Sequence, residues 1–426
     1  MKKIKFYLLF LSVFCFCACE SDVNHEMQLD ESQISQKMTI SDESINEVLS
    51  FVKNVYPEKY EYLCLTKNDL ELEFVTNLTY EATKFLAPAM DDSTIDTSID
   101  TLLSIVNFGN EEGFAIVSVR DNRVLAVTEK GNLSINDLIK DYAEEEFENN
   151  PKAMISACVS NYVAGPNLPF DSIDFGTEHI VKGLWEIESQ IEPLVQLKID
   201  QDYPYNMYCT DSAGEYVLAG CGAIAVIQMM SANKYPNTIG GVTRNWDNII
   251  NQYQTSALVR RTLAQWIRVI GDECGINYYD GQSSCSVGDM MNCISSYPRY
   301  TNLTVEIEPS YEAIYSMLSN GKSLPFIGTR LIENGDTAGH VWVVDGCIGY
   351  RQLVRVYNSN EVLLREYYLY RNLVHCNWGW EGVCDGYYES NVFDLTDGAI
   401  IPDEEDPSTM HRHYNIQVAA LIYNLE

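Results

Sequence analysis

The chain has 426 residues, enough for two or three domains, and 46% of them are apolar, which can supply a sizeable buried core. Its formal net charge is −33, from 61 acidic and 28 basic residues. Such a surface has too few cations to neutralise a phosphate backbone, so nucleic acid is excluded as an expected partner. We interpret the charge as a solubility feature.

The first 19 residues predict a secretory signal peptide. Lysines precede an apolar run from Phe6 to about Phe16, and the small residue Ala18 stands before Cys19. The run is too short for a comfortable transmembrane helix and fits an export signal. Cys19 and the polar residues after it resemble a bacterial lipobox, so Cys19 is a candidate for lipidation, with simple cleavage as the alternative. We expect contact with a membrane only through such a lipid.

The next part of the chain predicts an acidic α+β segment. Residues 20–180 hold 31 acidic and 10 basic residues, a net charge of −21. Apolar residues at helical spacing over 44–56 indicate a helix, and "GFAIVSV" and "RVLAVTE", within 113–129, indicate two strands joined by a polar turn. Turn-forming residues follow, and we place a domain boundary between roughly 160 and 185.

The remainder of the chain predicts helices first and strands second. Apolar residues at helical spacing indicate several helices between residues 223 and 321. From about residue 324 the pattern changes to strands, including a short one over Val341–Val344 that an Asp-Gly turn would close. This order implies an α+β domain with a helical lobe and an antiparallel-sheet lobe.

The stretch "LAGCGAIAVIQMM" (218–230) places Cys221 between two glycines at the start of an apolar helix. The positive end of a helix dipole and its unpaired N–H groups favour a thiolate over a thiol. Gly220 and Gly222 would leave room for a substrate carbonyl, and the Cys221 N–H would donate to an oxyanion. Cys221 is therefore a candidate nucleophile. The alternative is a small buried apolar residue, a common use of cysteine.

A thiol nucleophile needs a base, and only His340 and His375 lie outside the predicted tether, linker and polar tail. His340 opens a buried strand and would point towards a helix N-terminus in the other lobe, so we rank it first and His375 second. Asn377 would accept a hydrogen bond from His340 and fix its ring, the third role in a Cys-His-Asn site. Trp378 would shield that hydrogen bond from water.

Five sequence motifs, together with their order along the chain, resemble the streptopain family of papain-like cysteine peptidases (peptidase family C10). The resemblance is dense over residues 190–400 and weaker over 100–130, where the sequence is similar to the propeptide of these zymogens. The motifs are "DQDYPYN" (200–206), "AGCGAIA" (219–225), "NWDNI" (245–249), "GHVWVVDG" (339–346) and "HCNWGWEGVCDGYY" (375–388).

The resemblance implies a papain-like two-lobed α+β domain over residues 176–426, preceded by an inhibitory α+β prodomain over 20–175 and the signal peptide over 1–19. The roles that it implies are nucleophile for Cys221, base for His340, orienting amide for Asn377, shield for Trp378 and oxyanion-hole donor for Gln201. The chain departs from the family pattern at Ile199, where a tryptophan is expected, at Glu381, and in its additional cysteines.

The expected function is that of an exported cysteine endopeptidase, secreted or on the bacterial surface, that cleaves proteins or peptides and is inhibited by its own prodomain. It would need no cofactor and no metal, and the thirteen cysteines match no zinc pattern. Disulfides between Cys376 and Cys384, or between Cys274 and Cys285 or Cys293, are left open. Two alternatives remain, a catalytically silent surface lipoprotein and a cell-wall amidase or transglutaminase-like acyl transferase.

Overall fold

The structure is a computed structural model. The predicted signal peptide, with Cys19, lies outside the residues that it describes. We call the described residues up to 164 the N-terminal segment and those from 179 the C-terminal segment. The described residues are 42–63, 70–76, 101–119, 123–140, 150–164, 179–278, 285–331, 337–390 and 416–426.

Helices occur in both segments, and several begin at a serine whose side chain accepts a backbone N–H, as at Ser256 and Ser310. Four helices belong to the N-terminal segment: α1 (Asp42–Val55), α2 (Pro57–Leu63), α3 (Ile135–Ile139) and α4 (Pro151–Ala164). The C-terminal segment contains α5 (Cys221–Asn233), α6 (Trp246–Gln252), α7 (Ala257–Glu273), α8 (Val287–Ser295) and α9 (Tyr311–Ser319).

The strands also come from both segments. The N-terminal segment provides β1 (Glu71–Thr76), β2 (Thr101–Asn107), β3 (Phe114–Ser118) and β4 (Arg123–Thr128). The C-terminal segment provides β5 (His179–Ile191), β6 (Thr238–Ile239), β7 (Val242–Thr243), β8 (Tyr300–Ile307), β9 (Leu324–Leu331), β10 (Thr337–Tyr357), β11 (Leu363–Asn377), β12 (Gly386–Glu389) and β13 (Ile416–Leu425).

Eleven of the described strands form one antiparallel sheet that runs through both segments. Its order is β1-β2-β3-β4-β12-β11-β10-β9-β13-β8, and β5 pairs with β10. The two segments meet where β4 pairs with β12, in the register Gly386↔Thr128, Tyr387↔Val127 and Tyr388↔Ala126. On its other side β12 pairs with β11, which carries His375 and Asn377, so a single strand separates β4 from these residues.

The predicted short strand over Val341–Val344 is wrong in its extent. The strand continues through Asp345 and Gly346 to Tyr357, with only a register shift against β11 at that point. Asp345 does not need a solvent-exposed turn because both of its carboxylate oxygens accept hydrogen bonds inside the protein, from His375 Nδ1 at 2.6 Å and the Val195 N–H at 2.9 Å.

Three apolar clusters hold these elements together. One surrounds α5 and includes α7 and α8, and the second packs α4 against strands of both segments. The third packs α1 on the opposite side of the junction, against β3, β4 and residues of β10 to β12. The predicted α+β class, with a helical part and a sheet part, is confirmed. None of the helices in the described ranges is long and apolar enough to cross a membrane.

Candidate active site

Cys221 is the first residue of α5, as the sequence predicts, and it is buried with 7% of its surface exposed. The preceding Gly220 has φ 91° and ψ 126°, a left-handed conformation that costs glycine little and turns the chain into the helix. Every residue from Cys221 to Ser231 is buried, so the helix has no solvent-facing side over that length. The thiol therefore lies at the positive end of a buried helix dipole, an environment that favours negative charge.

The interpretation of Gly222 as room for a substrate is wrong. A Cβ atom at Gly222 would lie 2.4 Å from Cys285 Sγ and 3.7 Å from Met290 Sδ. The second glycine of the motif therefore makes room for a cysteine of the protein itself, which lies beside the residue that follows Cys221.

Gln201 is buried and is held near the start of α5 through its backbone. Its carbonyl accepts the Ala219 N–H at 2.9 Å, two residues before Cys221, and the Ala219 carbonyl in turn accepts the Tyr278 hydroxyl at 2.8 Å. The structure thus brings Gln201 and Cys221 into one neighbourhood although 19 residues separate them.

His340 is fully buried against tryptophans. Its Nε2 lies 2.9 Å from the Trp378 carbonyl, and its ring stacks on Trp380 with 4.0 Å between the centroids. A carbonyl only accepts, so Nε2 carries the proton and Nδ1 is unprotonated. Burial lowers the pKa of His340 to about 3, only partly opposed by the Trp378 carbonyl, and the ring is neutral at pH 7.

The side chain of His340 lies on the tryptophan side of β10. Strand alternation puts His340 on the side of β10 that carries Trp342, whereas Val341 and Val343 point into the cluster around α5. Nε2 lies against the Trp378 carbonyl, and Nδ1 has no hydrogen-bond partner among the described residues.

Asn377 lies beside α5, but its side chain is held by a residue that the sequence analysis missed. Its Oδ1 accepts hydrogen bonds from Gln228 Nε2 at 2.8 Å and from the Gly379 N–H at 3.2 Å. The expected hydrogen bond from His340 to Asn377 is not present, because the His340 ring faces Trp378 and Trp380 instead.

Gln228 connects three parts of the candidate site. It is fully buried, its Nε2 also lies 3.2 Å from the Leu197 carbonyl, and Leu197 leads into the segment with Gln201. Gln228 lies seven residues, two helical turns, after Cys221 and thus on the same side of α5. A glutamine inside the apolar run "AIAVIQMM" is the signal that could have identified it.

Trp378 is fully buried between the rings of Trp342 and Tyr388, with centroid separations of 4.9 and 5.4 Å. Its backbone carbonyl accepts a hydrogen bond from His340 Nε2, and its N–H donates a hydrogen bond to Asp385 Oδ1 at 2.9 Å. Trp378 therefore lies beside His340, as predicted, but it shields a contact to its own carbonyl and not one to Asn377.

His375, the second candidate base, is occupied elsewhere. Its Nδ1 lies 2.6 Å from Asp345 Oδ1 and its Nε2 lies 3.2 Å from Glu129 Oε1. Burial opposes the charged ring, but the Asp345 and Glu129 carboxylates outweigh it and raise the pKa of His375 to about 10. A histidine that stays protonated between two carboxylates cannot accept a proton from Cys221.

The cysteines near the site are thiols where the sequence left disulfides open. Cys274, Cys293, Cys376 and Cys384 form no disulfide in this structure. No group of three or more His, Cys, Asp or Glu side chains within the described ranges is arranged to hold a metal ion.

A protein-family model matches the region of the chain that contains the candidate site. Residues 199–388 match the model of the Peptidase C10 family, and Gln201, Cys221, His340 and Asn377 all fall within that range. This part of the chain is similar to the peptidase C10 family. The predicted resemblance to streptopains is thereby confirmed.

Known members of the family are similar to this chain at low identity. Streptopain of Streptococcus pyogenes is 22% identical over 292 residues, 57% of this chain and 65% of the streptopain. Active interpain A of Prevotella intermedia is 20% identical, with a TM-score of 0.39, over 55% of this chain and 95% of its own. A prointerpain A fragment from that organism is 18% identical, with a TM-score of 0.45, over 75% and 94%.

Proposed function

We propose that the protein is a cysteine endopeptidase that is made as a zymogen, with Cys221 as its nucleophile. The observation that carries this proposal is the Cys221 thiol at the first turn of a buried helix, with Gln201 fixed beside it, inside a segment that is similar to a peptidase family. The substrates would be proteins or peptides. Export, and lipidation of Cys19, are parts of the proposal that concern residues outside the described ranges.

In the proposed reaction the Cys221 thiolate attacks a peptide carbonyl carbon, and the carbonyl oxygen takes the negative charge. The Cys221 N–H and the Gln201 side-chain amide would donate to that oxygen. His340, protonated in the thiolate–imidazolium pair, then gives its proton to the leaving amine as the C–N bond breaks. Water then gives a proton to His340 and adds to the thioester carbon, and the C–S bond breaks to release the acid and restore the Cys221 thiolate beside the protonated His340.

The position of His340 supports an inactive resting form. The ring lies against Trp380 with Nε2 at the Trp378 carbonyl and a pKa lowered to about 3 by burial, so it is neutral, while the N-terminal segment is paired with β12 in the same sheet. We infer that residues 20–175 act as a prodomain and that activation includes both their removal and a turn of the His340 ring towards Cys221.

The test follows the purified leaderless protein under reducing conditions, beside Cys221→Ala and, as a matched control, Cys285→Ala. We expect the parent and Cys285→Ala to shorten from the N-terminal side and then digest casein, and Cys221→Ala to stay full length. The proposal is wrong if Cys221→Ala digests casein as fast as the parent.

One observation favours a second candidate, a catalytically silent surface protein that uses the same fold for binding. The neutral, buried His340 would be the final arrangement in that case, not a resting one. This candidate takes the lead if the shortened protein cleaves neither casein nor unfolded protein and iodoacetamide does not label Cys221 in preference to the other cysteines.

A further inference from the structure

A set of buried charges joins the two segments at a place that the proposed reaction does not use. Glu129, the residue after β4, contacts His375 through Oε1 and forms an ion pair with Lys198 through Oε2. His375 in turn contacts Asp345. We call Glu129, Lys198, His375 and Asp345 the junction ion cluster. One of its members comes from the N-terminal segment and three come from the C-terminal segment.

The geometry of the cluster requires a charged His375. Both of its ring nitrogens face carboxylate oxygens, at 2.6 Å for Asp345 and 3.2 Å for Glu129. An ionised carboxylate only accepts hydrogen bonds, so both ring nitrogens must donate, and only the imidazolium does so. The side chains of His375 and Asp345 are 1% and 0% exposed, so this cation and its partner are inaccessible to water.

The C-terminal segment itself holds Asp345 in place beside His375. Glu129, in contrast, can contact His375 only while the two segments are docked. Asp345 Oδ2 also accepts the Val195 N–H, and its backbone carbonyl accepts the Leu194 N–H, both at 2.9 Å. Glu129 is fixed by its own N–H, which donates to the Asp385 carbonyl at 2.7 Å, at the end of the β4–β12 ladder.

We propose that Glu129 is an electrostatic latch, whose carboxylate on His375 and Lys198 keeps the N-terminal segment docked in one register of the β4–β12 pairing. Replacing one member of a buried ion pair leaves the other charge uncompensated, which costs much more than an exposed pair contributes. A slip of one residue would also turn Glu129 to the other face of the sheet. That the latch controls activation rests on the proposed function.

The docking test uses the full chain carrying Cys221→Ala, so that no cleavage is needed. Hydrogen exchange is followed by mass spectrometry at β4 and β12 in Glu129→Gln and in Glu112→Gln. The control removes a carboxylate of the same segment that pairs with Lys59, at 3.7 Å, and is more exposed than Glu129. We expect exchange in both strands to rise about tenfold in Glu129→Gln and to stay unchanged in Glu112→Gln.

A double-variant cycle separates the latch from a general loss of stability. In the same background, Glu129→Gln should raise exchange at β4 less when His375→Gln is already present than it does alone, because the contact with His375 is then absent and only the contact with Lys198 is lost. Additive effects of the two substitutions, or a rise in exchange that is uniform over the chain, would overturn the proposal.

A second measurement tests whether the latch controls activation, and its outcome is independent of the docking test. With Cys221 intact, Glu129→Gln should shorten itself about tenfold faster than the parent and than Glu112→Gln. If no form shortens itself while exchange still rises in the Cys221→Ala background, the latch stands and the peptidase proposal fails. If the parent shortens itself and Glu129→Gln is no faster, the link between the latch and activation is wrong.

Discussion

At the scale of single residues, the polar contacts around Cys221 matter more than the glycines beside it. Gln228 binds Asn377 and the Leu197 carbonyl with one amide group. It touches no reacting atom in the proposed reaction and would act by positioning Asn377 against the helix that carries Cys221. Such a residue is expected to influence the rate of the chemical step more than the affinity for substrate.

Replacing this amide by a side chain of similar size gives a direct test. We expect Gln228→Met to lower kcat about 10- to 100-fold with KM nearly unchanged, because Asn377 would lose its main anchor. Gln252→Met, at an exposed glutamine of α6, is the control. A fall in Tm without a change in kcat would show that Gln228 is structural only.

At the scale of elements, the junction of the segments depends on the close approach of β4 and β12. A Cβ atom at Gly386 would lie 2.3 Å from the Val127 carbonyl oxygen and 2.5 Å from Thr128 Cα. Both contacts are with backbone atoms, which cannot move without breaking the strand pairing.

Gly386→Ala is therefore expected to lower the free energy of unfolding by about 1–3 kcal/mol and to expose β4 to added protease. Urea unfolding and limited proteolysis of the Cys221→Ala chain measure the two effects. Gly288→Ala is the control, since a Cβ there meets only the Ser286 hydroxyl at 3.7 Å. Equal stability of the two variants would contradict a tight junction.

Some elements of the fold could be predicted from the sequence and others could not. The helices at Ser256 and Ser310 were predictable because a cap and an apolar periodicity are local signals. The sequence could not predict the contact of β4 with β12 or the orientation of His340, because both depend on strands that pair although they lie far apart in the chain. Strand β5 was missed because nearly all of its residues are exposed or half-buried, without a clear alternation.

The candidate site was predictable in its members and not in its contacts. Motif order placed Gln201, Cys221 and Asn377 in one region, and the structure brings their elements together. Packing against α5 and the tryptophans determines which side of β10 carries His340 and which amide holds Asn377. No short sequence pattern encodes this packing.

At the scale of the whole molecule, the buried charges predict how stability depends on pH. Burial favours a neutral Glu129, but hydrogen bonds and charges of His375 and Lys198 lower its pKa to about 2. Its contribution is thus present above about pH 4.5 and is lost as pH falls towards 2. His375, with its pKa raised to about 10, contributes fully below about pH 6.5 and loses that contribution as pH rises through 10.

Asp385 loses its contribution at lower pH than His375 does. Burial raises its pKa to about 7, partly opposed by Lys198 and His375, while Glu129 raises it further. Its folded form therefore prefers the proton, and that preference is lost as pH rises through about 7. The docked chain therefore loses the contribution of Asp385 between about pH 4 and 7 and the contribution of His375 in alkaline solution.

We expect the Tm of the Cys221→Ala chain to fall between pH 6.5 and 10, where His375 loses its proton. Thermal melts at constant ionic strength measure this dependence. The alkaline fall should be shallower in His375→Gln, which retains Asp345, Glu129, Lys198 and Asp385. An equally steep fall in that variant would show that other groups, such as the buried tyrosines, cause it.

The pairing of β4 with β12 has a consequence for the protein after any cleavage between the two segments. While the chain is intact, β12 is an interior strand with neighbours on both sides. Once β4 leaves, β12 becomes a sheet edge with unpaired N–H and C=O groups, next to a histidine that has lost one carboxylate. Such an edge accepts an extended strand from another molecule, so the liberated N-terminal fragment and a second copy of the shortened protein would compete for the same edge.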